Sequence, residues 1–534
     1  MRSRLSTPVR AVLWMCTFLC VPSPASLAAD IDLAGQEFTL AVMPGYFNDA
    51  PSLLFIAQSD TGNTEVIIEW PAGSPTVQDT KLIGSGGFLY FLPSAAGSWA
   101  PGLDQNAVSI RSDRDIVCVV RNNHNTTGSG AIALPHDALG TSYWITTYDG
   151  YPSLPDIDAG QFVVMSTVPG TQVTITPSQN LVTGQLANTP FQVTLNAGDA
   201  FFGRSLATSG AAANLSGTWV TATEPVAVME GNRAAQIPSG TGFANATTEF
   251  CWPTNYWDSA CVLTAIPGQF GVFAAYYSFQ VADSATQLTY TPAMPGAPAS
   301  MNPGSGVLVG PVTTNHLVTA NGPIKITQWT PGDLEIPDWN RKPESMVMPG
   351  PAQFASSHTL GADMLTPDYL REYHFATIIV DTSATATFEV DGMPVGSGAF
   401  QQVGTTRFAV AHVQYNLSWF KSNSQGTKHA FLVHEGVHGT NAFAYACGAL
   451  FEKECPIAVT GDVNVSGNVS SADIISLVNH VFKGGPAPLP CAAAGDVNCN
   501  GAISSSDIIR LVNYVFKGGD PPCDGCTSAL AGAC

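Results

Sequence analysis

Two short stretches near the C-terminus set oxygen-bearing side chains at alternating positions. In residues 461–485, Asp462, Asn464 and Ser466 stand at loop positions 1, 3 and 5, and Asp473 at position 12. In residues 495–519, Asp496, Asn498, Asn500 and Asp507 fill the same places. Gly467 and Gly501 sit at position 6, where a cation loop turns sharply. The backbone carbonyls of Asn468 and Ala502, at position 7, offer one more oxygen each. Oxygens converging from a short loop make a site for a hard divalent cation, so the pattern implies two calcium sites. Each loop brings only two carboxylates, which implies affinities of about 10⁻⁴–10⁻³ M, the range of extracellular modules.

A second pattern, His434-Glu435-Gly436-Val437-His438, matches the zinc-protease signature. That chemistry needs both imidazoles on one helical face, with the glutamate acting on a metal-bound water. Its context argues against it. Ala430 to Val433 read as a strand, and Gly436 and Gly439 would each cost a helix about 1 kcal/mol. The expectation is a strand ending in a turn with its histidines at the surface, and no zinc held by His434, Glu435 and His438. Asp156/Asp158 and Asp333/Glu335/Asp338 are acid groups of the type a glycoside hydrolase uses. The sequence has no G-x-S-x-G elbow, P-loop or dinucleotide-binding glycine pattern.

The loops need helices to hold them. After the first, Ile474, Leu477, Val478 and Val481 recur at helical spacing, and Ile508, Leu511, Val512 and Val515 repeat this after the second. Lys-Gly-Gly closes each helix. The two copies lie 34 residues apart and agree at 18 of 25 positions. This tandem loop–helix unit, over about 461–523, resembles a type I dockerin, the calcium-dependent module that docks onto cohesin domains. The resemblance implies that loop positions 10 and 11 face the cohesin. Here they are Ser471-Ala472 and Ser505-Ser506. Position 5, usually Asp in dockerins, is Ser466 or Asn500.

Residues 30–450 read as all-β. Gln161–Met165, Gln192–Leu195 and Thr377–Val380 alternate as strands, and turn residues recur every 8–12 positions. One marker, a threonine opening a strand, falls at Thr64, Thr171, Thr286 and Thr385. A second falls at Asp115–Cys118, Pro225–Val228 and Pro323–Ile326, with a poor fourth copy at His429–Leu432. Four weak repeats, each dividing into two sheet-sized halves, favour a β-propeller, with tandem β-sandwiches as the alternative. Several segments resemble the N-terminal domain of the IgGFc-binding protein family. They are Ala133-Leu134-Pro135 with Leu139-Gly140-x-x-Tyr143, Thr171 to Pro177, Asn214 to Gly217, and Pro225 to Asn232 followed by Ile237-Pro238, with Glu249, Pro253 and Trp257 in register. The resemblance implies an extracellular binding or adhesive domain. Two cysteines usual in that family are replaced by Ala234 and, about, Asn245, which implies one lost disulfide that Cys251 and Cys261 replace locally.

Composition sets the rest. Twenty Lys+Arg against 40 Asp+Glu give a net charge of −20, which argues against nucleic-acid and anionic-lipid partners. Arg2, Arg4 and Arg10, the 11-residue apolar run Ala11–Val21 and Ser26-Leu27-Ala28 read as a signal peptide over 1–29. No apolar stretch is long enough to span a bilayer. Ten cysteines then remain, seven of them from Cys447 onward, so disulfides are expected mainly in the small C-terminal module. A zinc site at Cys523-x-x-Cys526 is the competing reading. The sequence therefore divides into a signal peptide, a β domain (30–450), a linker (451–460), a dockerin-like module (461–523) and a Cys-containing tail (524–534). It reads as a secreted or surface-attached bacterial binding protein without catalytic activity. Its β domain takes an extracellular protein or glycan, and its calcium-loaded module holds a cohesin-type scaffold. The alternatives are a scaffold-borne polysaccharide-degrading enzyme and, more remotely, the zinc protease.

Overall fold

The structure, a computed structural model, describes residues 32–45, 52–59, 62–84, 87–123, 127–150, 160–268, 271–282, 285–332, 342–361, 371–390, 392–414, 419–423, 427–437, 441–451, 457, 459–489, 491–523 and 525. It has two compact units, one over 30–453 and one that includes 454–534.

The first unit is all-β and uses one sheet plan four times. In the second copy, strands Gly160–Ser166, Thr171–Thr176, Phe191–Leu195, Ala200–Arg204 and Trp219–Ala235 follow in sequence. In space they lie third, second, fifth, first, fourth. The same order holds from Ser52–Gln58 to Val108–Asn123 and from Ala275–Val281 to His316–Trp329. In the fourth copy the fifth strand comes as two pieces, Trp419–Asn423 and His429–Val437, but each keeps its expected neighbours.

The long fifth strand explains the plan. The first half of Trp219–Ala235 is partly exposed, and everything from Val226 on is buried. The half that is buried throughout must be covered on both faces. Pro225 marks the changeover, within a register shift between Thr221 and Val226, where its missing N–H interrupts no ladder. The threonine markers have a local cause. Thr171 and Thr64 open second strands, and their hydroxyls bond back across the turn to Ser166 (2.8 Å) and Ser59 (2.9 Å). Thr385 differs: it lies in a turn ahead of strand Glu389–Val390.

Each long strand also pairs with a short inner strand: Gly128–Ile132, Asn245–Phe250, Ser345–Val347 and Asn441–Ala446. These four pack in a closed cycle, the first against the second and fourth, the third against the same two. Small residues such as Gly128, Ser129, Gly130 and Ala131 let the backbones converge. Asn245 Nδ2 donates to the carbonyls of Gly128 (2.7 Å) and Pro343 (2.9 Å), and its Oδ1 accepts from Gly128 N–H at 2.9 Å. A propeller blade is a four-stranded sheet. The sheets here put five strands in the order given above, with the fifth split in two in the fourth copy, and do not show that geometry.

The second unit holds two helices, α1 (Ser471–Lys483) and α2 (Ser505–Lys517). Ser470 and Ser504 cap them in boxes completed by Asp473 and Asp507, and Gly484 and Gly518 close them in the left-handed region, at φ +63 for both. Val463, Ile474 and Leu477 pack with their counterparts Val497, Ile508 and Leu511 as one core.

Candidate calcium loops and partner face

Both loops fold around their first aspartate. Asp462 Oδ1 accepts from Ser466 N–H (2.9 Å) and Oδ2 from Gly467 N–H (2.6 Å). Asp496 does the same with Asn500 (3.1 Å) and Gly501 (2.9 Å). Burial pushes the Asp462 carboxyl up, but the N–H groups of Ser466 and Gly467 outweigh it and hold it below the ordinary value. Positions 1 and 12 of both loops, Asp462, Asp473, Asp496 and Asp507, are buried. Asp507 Oδ1 faces Asn498 N–H at 3.3 Å, so the far end of that loop returns to its start. In the first loop the carbonyl of Asn468 accepts from the Ser466 hydroxyl at 3.1 Å. In the second, Ala502 donates its N–H to Asn500 Oδ1 at 3.0 Å.

Buried carboxylates with oxygens left over are what a cation would satisfy. Asn464 Oδ1 and Asp473 Oδ1 are buried acceptors without a hydrogen-bond partner. An orphaned buried acceptor costs about 1–3 kcal/mol, and a divalent ion removes that cost. The donor set is oxygen throughout, which fits calcium.

The sequence reading assigned the partner face only to Ser471, Ala472, Ser505 and Ser506. All four are exposed in the first helical turns. The structure extends that face. Ile475 (61% exposed) and Phe482 (65%) lie on the same side of α1 as Ala472, at spacings of three and ten residues. Ile509 (61%) and Phe516 (66%) repeat this on α2. The signal was present in the sequence. Apolar residues recurred at the same place in both repeats, outside the set the core needed.

One disulfide lies in the C-terminal module, as expected, while two other cysteine readings do not hold. Cys523 is bonded to Cys499, so it is not a zinc ligand with Cys526. Cys251 and Cys261 are separate buried thiols in different cores and replace no disulfide. Burial pushes both thiols up. Ala235 does pair with Asn245, so the positions that resemble the family's cysteines are near neighbours across a ladder.

Residues 434–437 of the zinc pattern lie on a strand, His429–Val437, and not on a helix. His434 is not at the surface as expected but buried, because its Nδ1 lies 3.5 Å from the buried Glu344 Oε2, and His438 lies outside the described residues. Asp156/Asp158 and Asp333/Glu335/Asp338 also lie outside them. The described residues contain no cluster of three or more His, Cys, Asp or Glu side chains arranged to hold a metal. Asn214, a sequon in the sequence, spends its amide on Asp149 (3.0 Å) and accepts from Thr147 at 3.0 Å.

The motif segments of the β domain converge on a buried ion pair. Lys325 Nζ donates to Glu230 Oε1 at 2.8 Å and to the Trp144 carbonyl at 2.6 Å, and lies 3.2 Å from Cys251 Sγ. Glu230 Oε2 also accepts from Thr146 N–H at 2.7 Å. Burial pushes Lys325 down, but the Cys251 sulfur and the Glu230 carboxylate outweigh it and hold it above its ordinary value. Burial, then the charge of Glu230, pushes the Glu249 carboxyl well up. Tyr143 donates to the Val226 carbonyl at 2.6 Å. These residues, enclosed on every side, hold sheets together.

A family model for IgGFc binding protein matches residues 129–444, and one for the dockerin type I domain matches 460–516. The chain belongs to the IgGFc-binding protein family. The IgGFc-binding protein of Homo sapiens is 25% identical over 457 residues, 82% of this chain and 8% of that protein. The chain thus spans a small part of this relative's length. It joins an IgGFc-binding region to a dockerin type I domain, and dockerin type I domains generally bind calcium.

Proposed function

We propose that this chain is a secreted capture protein whose β domain binds an extracellular ligand while its dockerin module fixes it to a cohesin-type scaffold or surface. Two calcium ions complete the module. The first is held by Asp462, Asn464, Ser466, the Asn468 carbonyl and Asp473. The second is held by Asp496, Asn498, Asn500, the Ala502 carbonyl and Asp507. The orphaned buried oxygens of Asn464 and Asp473 are the observation that carries this reading. Calcium cancels the repulsion between the gathered carboxylates and locks the loops that begin α1 and α2. The ion thereby fixes the face of Ser471, Ala472, Ser505 and Ser506 together with Ile475, Phe482, Ile509 and Phe516. Four large apolar side chains left in water on a small module support a protein partner.

Retention of the full chain on a panel of immobilised type I cohesins, with calcium and with a chelator, tests this. Calcium-dependent retention on at least one cohesin, lost in Phe482→Asp/Phe516→Asp, is expected. No retention on any cohesin in millimolar calcium overturns the anchoring reading.

A further inference from the structure

Trp144 and Trp219 are partners across a ladder on the outer face of the second sheet, and their indoles stack with centroids 5.6 Å apart and planes within 12°. Trp144 is held from behind, where a side chain on Gly304 would come within 3.2 Å of its ring. Trp219 Nε1 donates to Ser142 Oγ at 3.3 Å. With one face stacked and its N–H engaged, Trp219 is still 42% exposed, so the face it shows is the one over its other neighbour, Thr176. An indole fixed on one side and bare on the other is a platform formed in advance.

The surface beside it has one chemical character. The next row across the strands is Gln192, Thr174, Thr221 and Ser142, and the row after it pairs Thr194 with Gln172. Gln172 and Gln192 bond across to Thr194 (2.9 Å) and Thr174 (3.3 Å), which fixes their amides along the sheet. These rows offer hydroxyl and amide donors and acceptors and contain no ionisable side chain. Metal ligands, nucleophiles and cations for an anionic ligand are all missing from them.

We propose that Trp219, with Thr176, Thr174, Gln172 and Gln192, is a binding site for a neutral polysaccharide. One pyranose ring lies with its C–H face on the bare indole, and neighbouring hydroxyls meet the Gln/Thr rows. The pairing follows from complementarity. A sugar is apolar on its faces and polyhydroxylated at its rim, and the surface is apolar at one point and amide and hydroxyl around it. The chain's net charge of −20 disfavours polyanions, so the ligand class is uncharged. This inference rests on the reading of the β domain as a non-catalytic binder and assigns it a ligand class and a place.

The test is affinity electrophoresis of the full chain in gels holding mixed-linkage β-glucan, xylan, galactomannan or, as the charged control, polygalacturonate. At least one neutral polysaccharide should retard the chain, and polygalacturonate should not. Trp219→Ala should raise the dissociation constant at least tenfold, and Trp219→Phe should fall between. Thr176→Arg, which places a bulky cation on the open side of the ring, should also abolish retardation and serves if Trp219→Ala melts early. Retardation by no neutral polysaccharide, or equal retardation of parent, Trp219→Ala and Thr176→Arg, overturns the site while leaving the non-catalytic reading intact. Release of new reducing ends by the parent chain overturns that reading instead.

Discussion

The β domain and the dockerin module both bury acids, but they balance them differently. In the β domain the buried acids meet partners within the fold: Glu230 has Lys325, and Glu344 has His434. In the module, four aspartates are buried in loops that bring no cation of their own. The first arrangement is complete once the chain has folded. The second leaves the buried Asn464 Oδ1 and Asp473 Oδ1 without a hydrogen-bond partner. One part is therefore sensitive to mutation and acidity, and the other to its medium.

The largest effect expected from this contrast is on the ion pair. Lys325→Met leaves Glu230 charged, buried and unpaired, and should cost the β domain about 3–5 kcal/mol in urea unfolding. Adding Glu230→Gln should return part of it, and the module's transition should not move. A loss below about 1 kcal/mol would show that the pair is not what closes that core.

Calcium sharpens the other half. With free ion at about 100 times the dissociation constant, each site adds about 2.7 kcal/mol, because the ion binds only the folded loop. Calorimetry of the full chain should show the module's transition rising into millimolar calcium and the β domain's staying fixed. Asp462→Ala/Asp496→Ala should erase the rise in oxidised and in reduced protein. A double mutant that still responds would place the ions elsewhere.

Acid should act on the β domain through its histidines. Burial lowers His358 to about 4, and burial and then His358 lower His429 to about 3. Both are neutral in the fold, and both bind a proton below about 6.5 once unfolded. A folded value below the unfolded one means stability is complete above about 6.5 and falls as pH drops toward 4. The slope is about 1.4 kcal/mol per pH unit for each ring, or roughly 2 kcal/mol each by pH 5. Melting between pH 7 and 5 should show this fall, and His358→Gln should flatten it. An unchanged slope would assign the acid response to other groups.

The smallest effect separates the two loops from each other. Position 4 is left-handed in both, at φ +56 for Val465 and +54 for Cys499. A β-branched residue is poorly suited to that region. Cys499 is also tied to Cys523. Val465→Gly should raise the module's stability by about 1 kcal/mol at most, read from its melting transition. A loss would mean that the exposed valine packs on something the ion brings together.

Much of the module could be read from its sequence, because two near-identical copies each stated loop, cap and helix in adjacent residues. The all-β character of the larger domain was equally local, carried by alternation in segments such as Gln192–Leu195, whereas Thr377–Val380 is buried on both faces. Its sheet order was not. That order depends on strands as long as Trp219–Ala235 serving two neighbourhoods at once, and no window of sequence shows what covers Val226 onward on both faces. The site on the outer sheet was hidden for the same reason. Trp144 and Trp219 are 75 positions apart and meet only through the ladder. Glu230 stood inside a recognised motif, but its partner Lys325 gave no sign, since a single lysine in a strand reads as solvent-facing until the pairing is known.

The closed cycle of inner strands also decides how the molecule carries load. The chain leaves the β domain through Asn441–Ala446 and then Phe451, which is wedged against Trp252 and Tyr256. Tension on a tethered tail enters at that wedge. It passes to a strand that touches the first repeat as well as the fourth. A string of separate domains would yield from its pulled end, one at a time. Here the last strand of the β domain is braced by the inner strand of the first repeat, so under load the β domain resists as one body.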